Sequence, residues 1–514
     1  MSSTASLRRD GGAAWAALAA AVAVLVLAGL EIAALRHAGG VFDYPLDDVY
    51  IHLAMAESIL EGGYGINPGE PASAASSILY PLLLLPLFGA KLQFWMPLVW
   101  NVLGVAASGA LWGAGVARAA IGPGATALFA VLGPVTLNLA GIGFTGMENS
   151  LHVAAALATT FGLWIFLSER RIGALLLLGT FFAPLIRLEG LALSGLACAV
   201  IVLRGRPGAG IALGLATLAP VAGFMAFLHG LGLAMLPGSV LAKAGLLGPG
   251  LSGIDQVIFR IAINLTEPAG MLLAAATVLC LALPAFVPGL RDRRGALLVV
   301  AGLAGLAHLI GGQIGWMHRY EIYVLASQAL ALVIALAGTG PGARAALVAA
   351  LLICGAVYWP KMLVHYLWNP RAVHLQQAQM ARFAKDYWKG PVAVNDLGWV
   401  AWQNPNYVLD LYGLASPEVL ALRADPATPA GWAAPLVARH GIGLAMLYDK
   451  WLKSAVGPDW VLLGQLVNGD DRAAIGDEVV SFYATDPARV AQLRAELADF
   501  APTLPAGVVW QAAP

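Results

Sequence analysis

The amino-acid sequence predicts an α-helical polytopic membrane protein that carries a C-terminal, non-cytoplasmic α/β domain. Of its 514 residues, 59% are hydrophobic and only 11% are charged, whereas soluble proteins are about 45–50% apolar and about 25% charged. Apolar blocks recur as far as Pro360, and the composition changes from Lys361 onward. The sequence therefore predicts a transmembrane domain in residues 1–360 and a soluble domain in residues 361–514.

The first apolar block, residues 14–36, predicts a retained transmembrane helix. Its length matches the roughly 20 apolar residues that a helix needs to cross a bilayer. Arg8 and Arg9 precede it, as basic residues precede the apolar core of a signal peptide. The block is longer than the about 7–15 residues of such a core, and no small-residue cleavage site clearly follows it. We therefore expect it to stay in the membrane.

The basic residues predict the orientation of the helices. Short loops rich in Lys and Arg stay in the cytoplasm, which places the N-terminus inside, together with the hairpins at residues 169–171, 204–206 and 291–294. All of them can be inside only if residues 76–90, a short segment with Pro81 and Pro86, do not cross. About eleven transmembrane helices are then predicted, at residues 14–36, 94–117, 121–141, 147–168, 172–186, 189–204, 208–232, 268–289, 295–313, 320–338 and 344–360.

This topology gathers the polar residues on one face of the membrane. The first outer loop, residues 37–93 with its surface helices, lies outside, and so does the C-terminal domain. The loops that carry most of the candidate functional residues share this side. These candidates are Asp47, Asp48, His52, Glu148, Arg187, Glu189, Lys243, His318 and Arg319.

The C-terminal residues 361–514 predict a mixed α/β domain. Strands are indicated where β-branched and aromatic residues cluster between turn residues, and helices where apolar residues follow a helical period. The domain contains no Cys, so it must be stable without disulfides. The predicted helices are residues 381–388 and 487–500, and the predicted strands are residues 392–396, 399–402, 407–413, 442–449, 460–466 and 479–484.

Asp47 and Asp48 stand side by side just before a helical run in the first outer loop. Two adjacent carboxylates near an apolar surface repel each other and are partly desolvated, which raises at least one pKa. A carboxylate with a raised pKa is suited to act as general base toward a hydroxyl nucleophile. The alternative is helix capping, because Asp near a helix N-terminus binds free backbone N–H groups. The pair alone leaves both interpretations open.

The first outer loop resembles that of the GT-C glycosyltransferases, membrane enzymes that use polyprenyl-phosphate sugars. The matching segments are DDVYIHL at residues 47–53 and GYGINPGE at 63–70. Further segments follow in the family's order: GMENSL at 146–151, RLEG at 187–190, LAK at 241–243, and outer-domain segments that begin at residues 396 and 410. The nearest resemblance is to the cell-wall arabinofuranosyltransferase branch and its uncharacterised relatives. Leu188, Asn149 and the Tyr320–Glu321 pair depart from the pattern and leave sugar and acceptor open.

The resemblance implies a GT-C-like fold and an inverting glycosyltransferase of a bacterial inner (plasma) membrane. A hexosyl or pentosyl group would move from a polyprenyl-phosphate-linked sugar donor to a hydroxyl of an envelope glycan, lipid or protein acceptor. No cofactor is expected. Paired Asp residues could hold Mg²⁺ or Mn²⁺ through oxygen, but members that use monophosphate donors generally need no metal.

The resemblance also assigns roles to the candidate residues. Asp47 or Asp48 would be the catalytic base, and Lys243 or Arg319 would stabilise the leaving phosphate. Arg187 and Glu189 could equally form a structural ion pair, and Arg319 could extend its charge to the membrane surface from a helix end. The substrate-binding candidates are His52, Glu148, Arg187, Glu189, Lys243, His318 and Arg319.

Three other classes compete with this assignment: a transporter or flippase, a polysaccharide polymerase or ligase, and a receptor-like binding module, which only the outer domain supports. A transporter or flippase of lipid-linked substrates usually places ionisable groups at mid-depth in the membrane, where His308 is nearly the only polar residue of this chain. A polysaccharide polymerase would concentrate Arg and His in a late outer loop, whereas the elaborate loop here is the first. Nucleic acid is an unexpected partner because the net charge is zero and no basic cluster stands out.

Overall fold

The computed structural model describes residues 3–238, 253–470 and 472–514. The chain is a polytopic helical membrane protein with a small C-terminal sheet domain. Its long apolar helices precede the first strand, which begins at Val392. Lys243, one of the two residues predicted to meet the leaving phosphate, lies outside the described residues.

Eight helical stretches in the described part of the chain are long and apolar enough to cross a membrane. Large apolar side chains remain uncovered on them: Leu215 is 64% exposed and Val278 is 63% exposed. Apolar surface is disfavoured in water by about 25 cal/mol per Å², so these surfaces require lipid. The stretches are Gly12–His37, Ala90–Ala117, Pro123–Phe144, Asn149–Glu169, Pro207–Gly230, Pro268–Phe286, Arg293–Gly311 and Pro341–Trp388.

Three of these stretches are interrupted, and several shorter helices join them. Ala90–Ala117 consists of Ala90–Gln93 and Met96–Ala117, and Pro123–Phe144 consists of Pro123–Thr136 and Leu139–Phe144. Pro341–Trp388 begins with the long helix Pro341–Val364 and ends in a π-helix, Phe383–Trp388. The shorter apolar helices are Ala174–Ile186, Gly190–Leu203 and Ile322–Leu336.

Two helices that precede the stretch Ala90–Ala117 are too short to cross a membrane. Asp48–Leu60 has 13 residues and Tyr80–Leu83 has four. A helix rises about 1.5 Å per residue, so neither spans a bilayer core of about 30 Å. Residues 76–90 therefore form no spanning helix, in agreement with the expectation from the positive residues.

Glycine allows the first helix to pack closely on Met96–Ala117. A Cβ atom at Gly113 would lie 2.2 Å from the carbonyl oxygen of Trp15, and one at Gly109 would lie 2.6 Å from that of Ala19. Any side chain at these positions would push the two backbones apart. Small residues at helix contacts are typical of membrane proteins, because close backbone packing replaces the hydrophobic drive that is missing in lipid.

The two ends of the helical bundle carry different sets of charged residues. At one end, named here the basic end, Arg118 pairs with Glu169 at 2.9 Å and the Arg170 side chain reaches the carbonyl of Arg204. The opposite end carries residues 148, 187 and 319, and the C-terminal domain packs against it. We name this opposite end the domain-facing end.

The C-terminal domain is built on one mixed sheet of six described strands. The strand order is β2-β1-β3-β5-β4-β6, with β1 parallel to β2 and β3 and the remaining pairs antiparallel. The strands are β1 Val392–Val394, β2 Val408–Asp410, β3 Leu444–Leu447, β4 Val461–Asn468, β5 Val479–Ala484 and β6 Val508–Ala512. The helices around it include Asn369–Leu375, Gln377–Arg382, Gly398–Ala401, Pro417–Ala424, Ala434–Arg439, Asp449–Leu452 and Val490–Phe500.

One strand predicted from the sequence is wrong, and one strand escaped prediction. Residues 399–402, with the sequence WVAW, lie in and directly after the helix Gly398–Ala401. Val400 and Trp402 are buried and Trp399 is half-buried. The segment contacts the first outer loop, where Trp402 donates to Gln93 and Trp399 stacks on Tyr50. Tertiary contacts thus override β propensity. The strand β6, Val508–Ala512, was not predicted from the sequence.

Polar contacts fix the C-terminal domain on the first outer loop. The Asn67 side chain accepts from the N–H of Val408 and donates to its carbonyl, both at 2.9 Å. Glu57 accepts from the N–H of Gln403 at 3.1 Å, and His374 lies 2.8 Å from the Asp43 carboxylate. The domain is therefore docked against the loop by several separate contacts.

Candidate active site

A cavity of about 370 Å³ lies between the domain-facing end of the bundle and the C-terminal domain. Five of the residues predicted from the sequence line it: Asp47, Asp48, His52, Arg187 and Arg319. They come from the first outer loop and from two other loops at helix ends. The fold therefore brings together residues that are up to 272 positions apart in the chain (319 − 47).

Asp47 is held by the C-terminal domain. Its two carboxylate oxygens accept the backbone N–H groups of Gly398, at 2.6 Å, and Trp399, at 2.8 Å. These N–H groups belong to the first two residues of the helix Gly398–Ala401, so Asp47 caps a helix of the C-terminal domain. Its side chain makes no cap bond to the helix that follows it, Asp48–Leu60. Burial raises the pKa of Asp47 to about 8, with a further contribution from Asp396, and the two N–H donors oppose the shift.

Asp48 forms an ion pair with Arg319. The distance from Asp48 Oδ2 to Arg319 Nη2 is 2.5 Å, and the same nitrogen donates to the Tyr320 hydroxyl at 3.1 Å. Arg319 is 4% exposed. Its Nε and Nη1 have no hydrogen-bond partner among the described residues. Buried donors without partners carry a desolvation cost of about 1–3 kcal/mol each, which an anionic ligand would offset.

Arg187 lies in a buried charge network beneath the cavity. It donates to Glu148 and to Glu189, each at 2.7 Å, and its guanidinium also lies over the Tyr320 ring. Burial raises the pKa of Glu148, but Arg187 and His52 outweigh burial and lower this pKa to about 2. Glu148 therefore stays ionised, and its role is to hold Arg187 and the hydroxyl of Ser76, which donates to it at 2.7 Å.

His52 joins this network from the first outer loop. Its Nε2 lies 3.3 Å from Ser76 Oγ and 3.6 Å from Glu148 Oε2. Burial lowers the pKa of His52, although the Glu148 carboxylate opposes that shift. The imidazole is thus neutral at pH 7 and can hydrogen-bond a ligand without adding charge to the cavity.

Three predicted residues do not line the cavity: Glu148, Glu189 and His318. The His318 ring packs edge-on against Tyr358 and Tyr366. Burial lowers its pKa to about 4. It is therefore a neutral packing residue behind the wall. Glu189 does not line the cavity, and it contacts Arg187, which does.

The segment before Arg319 is backbone-strained. Gly315, Trp316, Met317 and His318 all have positive φ, at 97°, 41°, 58° and 50°. The left-handed conformation costs an L-residue about 1–2 kcal/mol, and such strain concentrates at functional sites. The turn directs Arg319 into the cavity and leaves Trp316 on its wall.

Gly315 is the residue at which this turn is most sensitive to substitution. Gly315→Ala is expected to lower the free energy of unfolding by about 1–2 kcal/mol, because a Cβ is disfavoured at its φ of +97°. Thermal unfolding in detergent measures the change. Gly223→Ala is the matched control, since its Cβ would meet nothing within 4 Å and its φ is not in the left-handed region. Equal effects of the two substitutions would show that the turn carries no strain.

The C-terminal domain contributes cavity residues that sequence reasoning missed. Asp396, Tyr412 and Trp451 also line the cavity. Burial raises the pKa of Asp396, while Gln377 and Tyr448 hydrogen-bond to its Oδ2 and oppose the shift. The segments that begin at residues 396 and 410 are part of the family resemblance in the sequence. Their position at the candidate site follows only from the contact between the two domains.

A divalent metal would need oxygen ligands in close proximity. Asp47, Asp48 and Asp396 all line the cavity, yet the described residues include no group of three His, Cys, Asp or Glu side chains with the geometry to hold a metal ion. Asp47 and Asp48 are engaged with backbone N–H groups and a guanidinium. Metal independence remains a prediction from the resemblance.

A family model matches part of the C-terminal domain. Residues 368–483 match a family described as a domain of unknown function, DUF8728. No curated protein and no solved structure matches the chain. The matched region contains Asp396, Tyr412 and Trp451, together with the two N–H groups that hold Asp47.

Proposed function

We propose that the chain is an inverting glycosyltransferase of the GT-C type, which moves a sugar from a polyprenyl-phosphate donor to a hydroxyl acceptor. One observation carries the proposal: adjacent carboxylates and a buried guanidinium line the same cavity at the end of a membrane bundle. Two nitrogen donors of that guanidinium have no hydrogen-bond partner in the part of the chain that the structure describes. We propose that a lipid phosphate enters this site from the bilayer, where the unpartnered donors of the guanidinium can form charge-assisted hydrogen bonds to it. The cavity volume, about 370 Å³, falls within the range of small-molecule sites.

Asp47 is the proposed base. A general base works best when its pKa lies near the operating pH, and burial raises the pKa of Asp47 to about 8. Asp47 takes the proton of the acceptor hydroxyl, whose oxygen forms a bond to the anomeric carbon on the face opposite the phosphate. The bond from that carbon to the phosphate oxygen breaks, and the polyprenyl phosphate leaves with the electron pair.

Arg319 is proposed to bind the leaving phosphate. Its Nη2 is engaged by Asp48, which fixes the guanidinium, while Nε and Nη1 have no partner in the described part of the chain. Preorganised donors that meet developing negative charge are a large source of transition-state stabilisation. Asp48 is then a positioning residue, and Lys243 remains a second candidate for the phosphate. His52 and Arg187 are proposed substrate contacts from the cavity wall.

The proposed topology has about eleven transmembrane helices, with the eight long stretches and the three shorter apolar helices all crossing. The basic end would face the cytoplasm, because Lys- and Arg-rich loops remain there. The domain-facing end and the C-terminal domain would then lie outside a bacterial inner membrane, with an envelope glycan, lipid or protein as acceptor. The short helices suit this assignment because their ends, near residues 187 and 319, form the cavity.

A transfer assay in proteoliposomes tests the proposal. Purified full-length protein is offered a panel of polyprenyl-phosphate hexoses and pentoses with mixed cell-envelope glycans, and radiolabelled sugar is followed into product. Transfer from at least one donor, with inversion at the anomeric carbon, is the expected result. Movement of labelled lipid between leaflets without transfer would overturn the proposal in favour of a flippase, and elongation of lipid-linked chains in the absence of a monosaccharide donor would favour a polymerase.

A further inference from the structure

The wall of the cavity that belongs to the C-terminal domain differs in character from the wall that belongs to the bundle. The bundle and the first outer loop contribute two arginines, Arg187 and Arg319, together with Asp47 and Asp48. The wall of the C-terminal domain contributes Asn395, Asp396, Tyr412 and Trp451, and no described cation lines it. Both described cations that line the cavity therefore lie on the bundle side, whereas the wall of the C-terminal domain is acidic and aromatic.

Asp396 and Trp451 form a preorganised pair on this second wall. The Tyr448 hydroxyl lies 2.8 Å from Asp396 Oδ2, and Gln377 Nε2 donates to the same oxygen at 2.8 Å. The Tyr448 ring also meets the Trp451 ring edge-on, with centroids 5.0 Å apart and an interplanar angle of 86°. One tyrosine thus orients both the carboxylate and the indole.

Trp451 keeps apolar surface available to a ligand. It is 37% exposed although it lines a cavity. Tyr412 is less available, because the Arg423 guanidinium lies 4.3 Å from its ring centroid and covers one face. An exposed aromatic ring beside an oriented carboxylate is suited to a sugar ring, since the C–H face of the sugar packs on the aromatic surface and its hydroxyls donate to the carboxylate.

We propose that Asp396 and Trp451 form the subsite for the acceptor, and that this acceptor is an uncharged sugar residue. That the bound sugar is the acceptor rests on the proposed glycosyl transfer. That a sugar binds at this wall rests on the geometry alone. Three carboxyl groups, those of Asp47, Asp48 and Asp396, line the cavity. A uronic acid or a phosphorylated sugar would be repelled by the like charge of Asp396, and no described cation on that wall would offset the repulsion. A neutral sugar carries no charge and is not repelled.

Binding without donor tests the subsite separately from catalysis. Full-length protein in lipid nanodiscs is titrated with neutral disaccharides and with their uronic-acid counterparts, and binding is followed by saturation-transfer NMR. We expect at least one neutral disaccharide to bind with at least tenfold preference over its uronate. Trp451→Ala is expected to weaken that binding at least tenfold, while Trp451→Phe retains most of it. Glu418→Gln, at an exposed ion pair of the same domain, is the matched control.

Asp396→Asn supplies a readout that a structural role alone would not change. The amide oxygen can still accept from Gln377 and Tyr448, so the fold is preserved, but the negative charge is lost. The preference for neutral sugar over uronate is expected to fall at least threefold. Equal binding of both sugars by the wild type, or unchanged binding after Trp451→Ala, would overturn the subsite. If sugar binds as expected and no donor is turned over, the proposed transfer fails while the subsite stands.

Discussion

Asp47→Asn is expected to lower the rate of sugar transfer by about 10²–10⁴-fold, the range that a positioned general base contributes. The substitution removes the group that takes the acceptor proton and leaves the Asp48–Arg319 pair in place. Single-turnover transfer from a saturating donor measures the effect on the chemical step. The rate of the wild type is expected to rise with pH toward about 8, as Asp47 loses its proton, and the variant is expected to lose this dependence.

A second contact between the domains provides the control for this experiment. Asp47 also holds the N–H groups of Gly398 and Trp399, so its substitution could act by loosening the C-terminal domain. Asn67→Ala removes two hydrogen bonds to Val408 at the same domain contact and does not touch the cavity wall. Only if Asp47→Asn loses far more activity than Asn67→Ala does Asp47 act as a base.

Asp48→Asn separates the roles of the two neighbouring carboxylates. Because Asp48 orients the Arg319 guanidinium, we expect a higher KM for the lipid donor and a smaller change in kcat than with Asp47→Asn. The opposite outcome, in which Asp48→Asn abolishes kcat while Asp47→Asn is mild, would assign the base to Asp48 and leave Asp47 as the residue that docks the domain.

The sequence predicted the membrane helices because hydropathy is a local property. Each predicted crossing overlaps an apolar helix, and the proline-containing segment 76–90 does not span. The partner of Asp47 could not be predicted in the same way. Capping by Asp was anticipated, but the capped helix begins 351 residues away in the chain (398 − 47), and no local pattern reports a contact at such separation.

The same limit explains the residues that were misplaced or missed. His318 is adjacent to Arg319 in sequence, yet the left-handed turn directs the two side chains to different sides, so that His318 packs on tyrosines and Arg319 lines the cavity. WVAW has the composition of a strand, but the N–H of its first residue, Trp399, binds Asp47 together with the N–H of Gly398 just before it. In both cases the departure from local preference lies at the candidate site, where strain and conflict with propensity are expected.

Arg187→Gln is expected to be the most destabilising single substitution at the site, at about 3–5 kcal/mol, because it leaves a buried charge without its partner. Arg187 pairs with Glu148, which is fully buried, and also with Glu189. Glu148→Gln is expected to cost less, about 1.5–3 kcal/mol for a hydrogen bond to a charged group, since Arg187 keeps Glu189. Denaturant unfolding in detergent micelles measures both values.

The pH dependence of these variants distinguishes lost charge pairing from a packing defect. In the wild type, Arg187 and His52 lower the pKa of Glu148 to about 2 from its ordinary value of 4.5, against the effect of burial. The stability that Glu148 contributes is complete above about pH 4.5 and is lost as the pH falls toward 2. Without Arg187, burial dominates and raises this pKa, so Glu148 takes up a proton and the penalty disappears on acidification. The difference in unfolding free energy between wild type and Arg187→Gln must therefore shrink between pH 7 and pH 4.

The double variant completes the thermodynamic cycle. Glu148→Gln combined with Arg187→Gln removes both buried charges, so its loss of stability is expected to be smaller than the sum of the two single losses by about 0.5–3 kcal/mol. A purely additive result, with no change in the Arg187→Gln deficit between pH 7 and pH 4, would mean that the two side chains stabilise the bundle by packing alone. The stability of the cavity wall would then come from packing. The charge of Arg187 would not be needed for stability and would be available to a bound substrate.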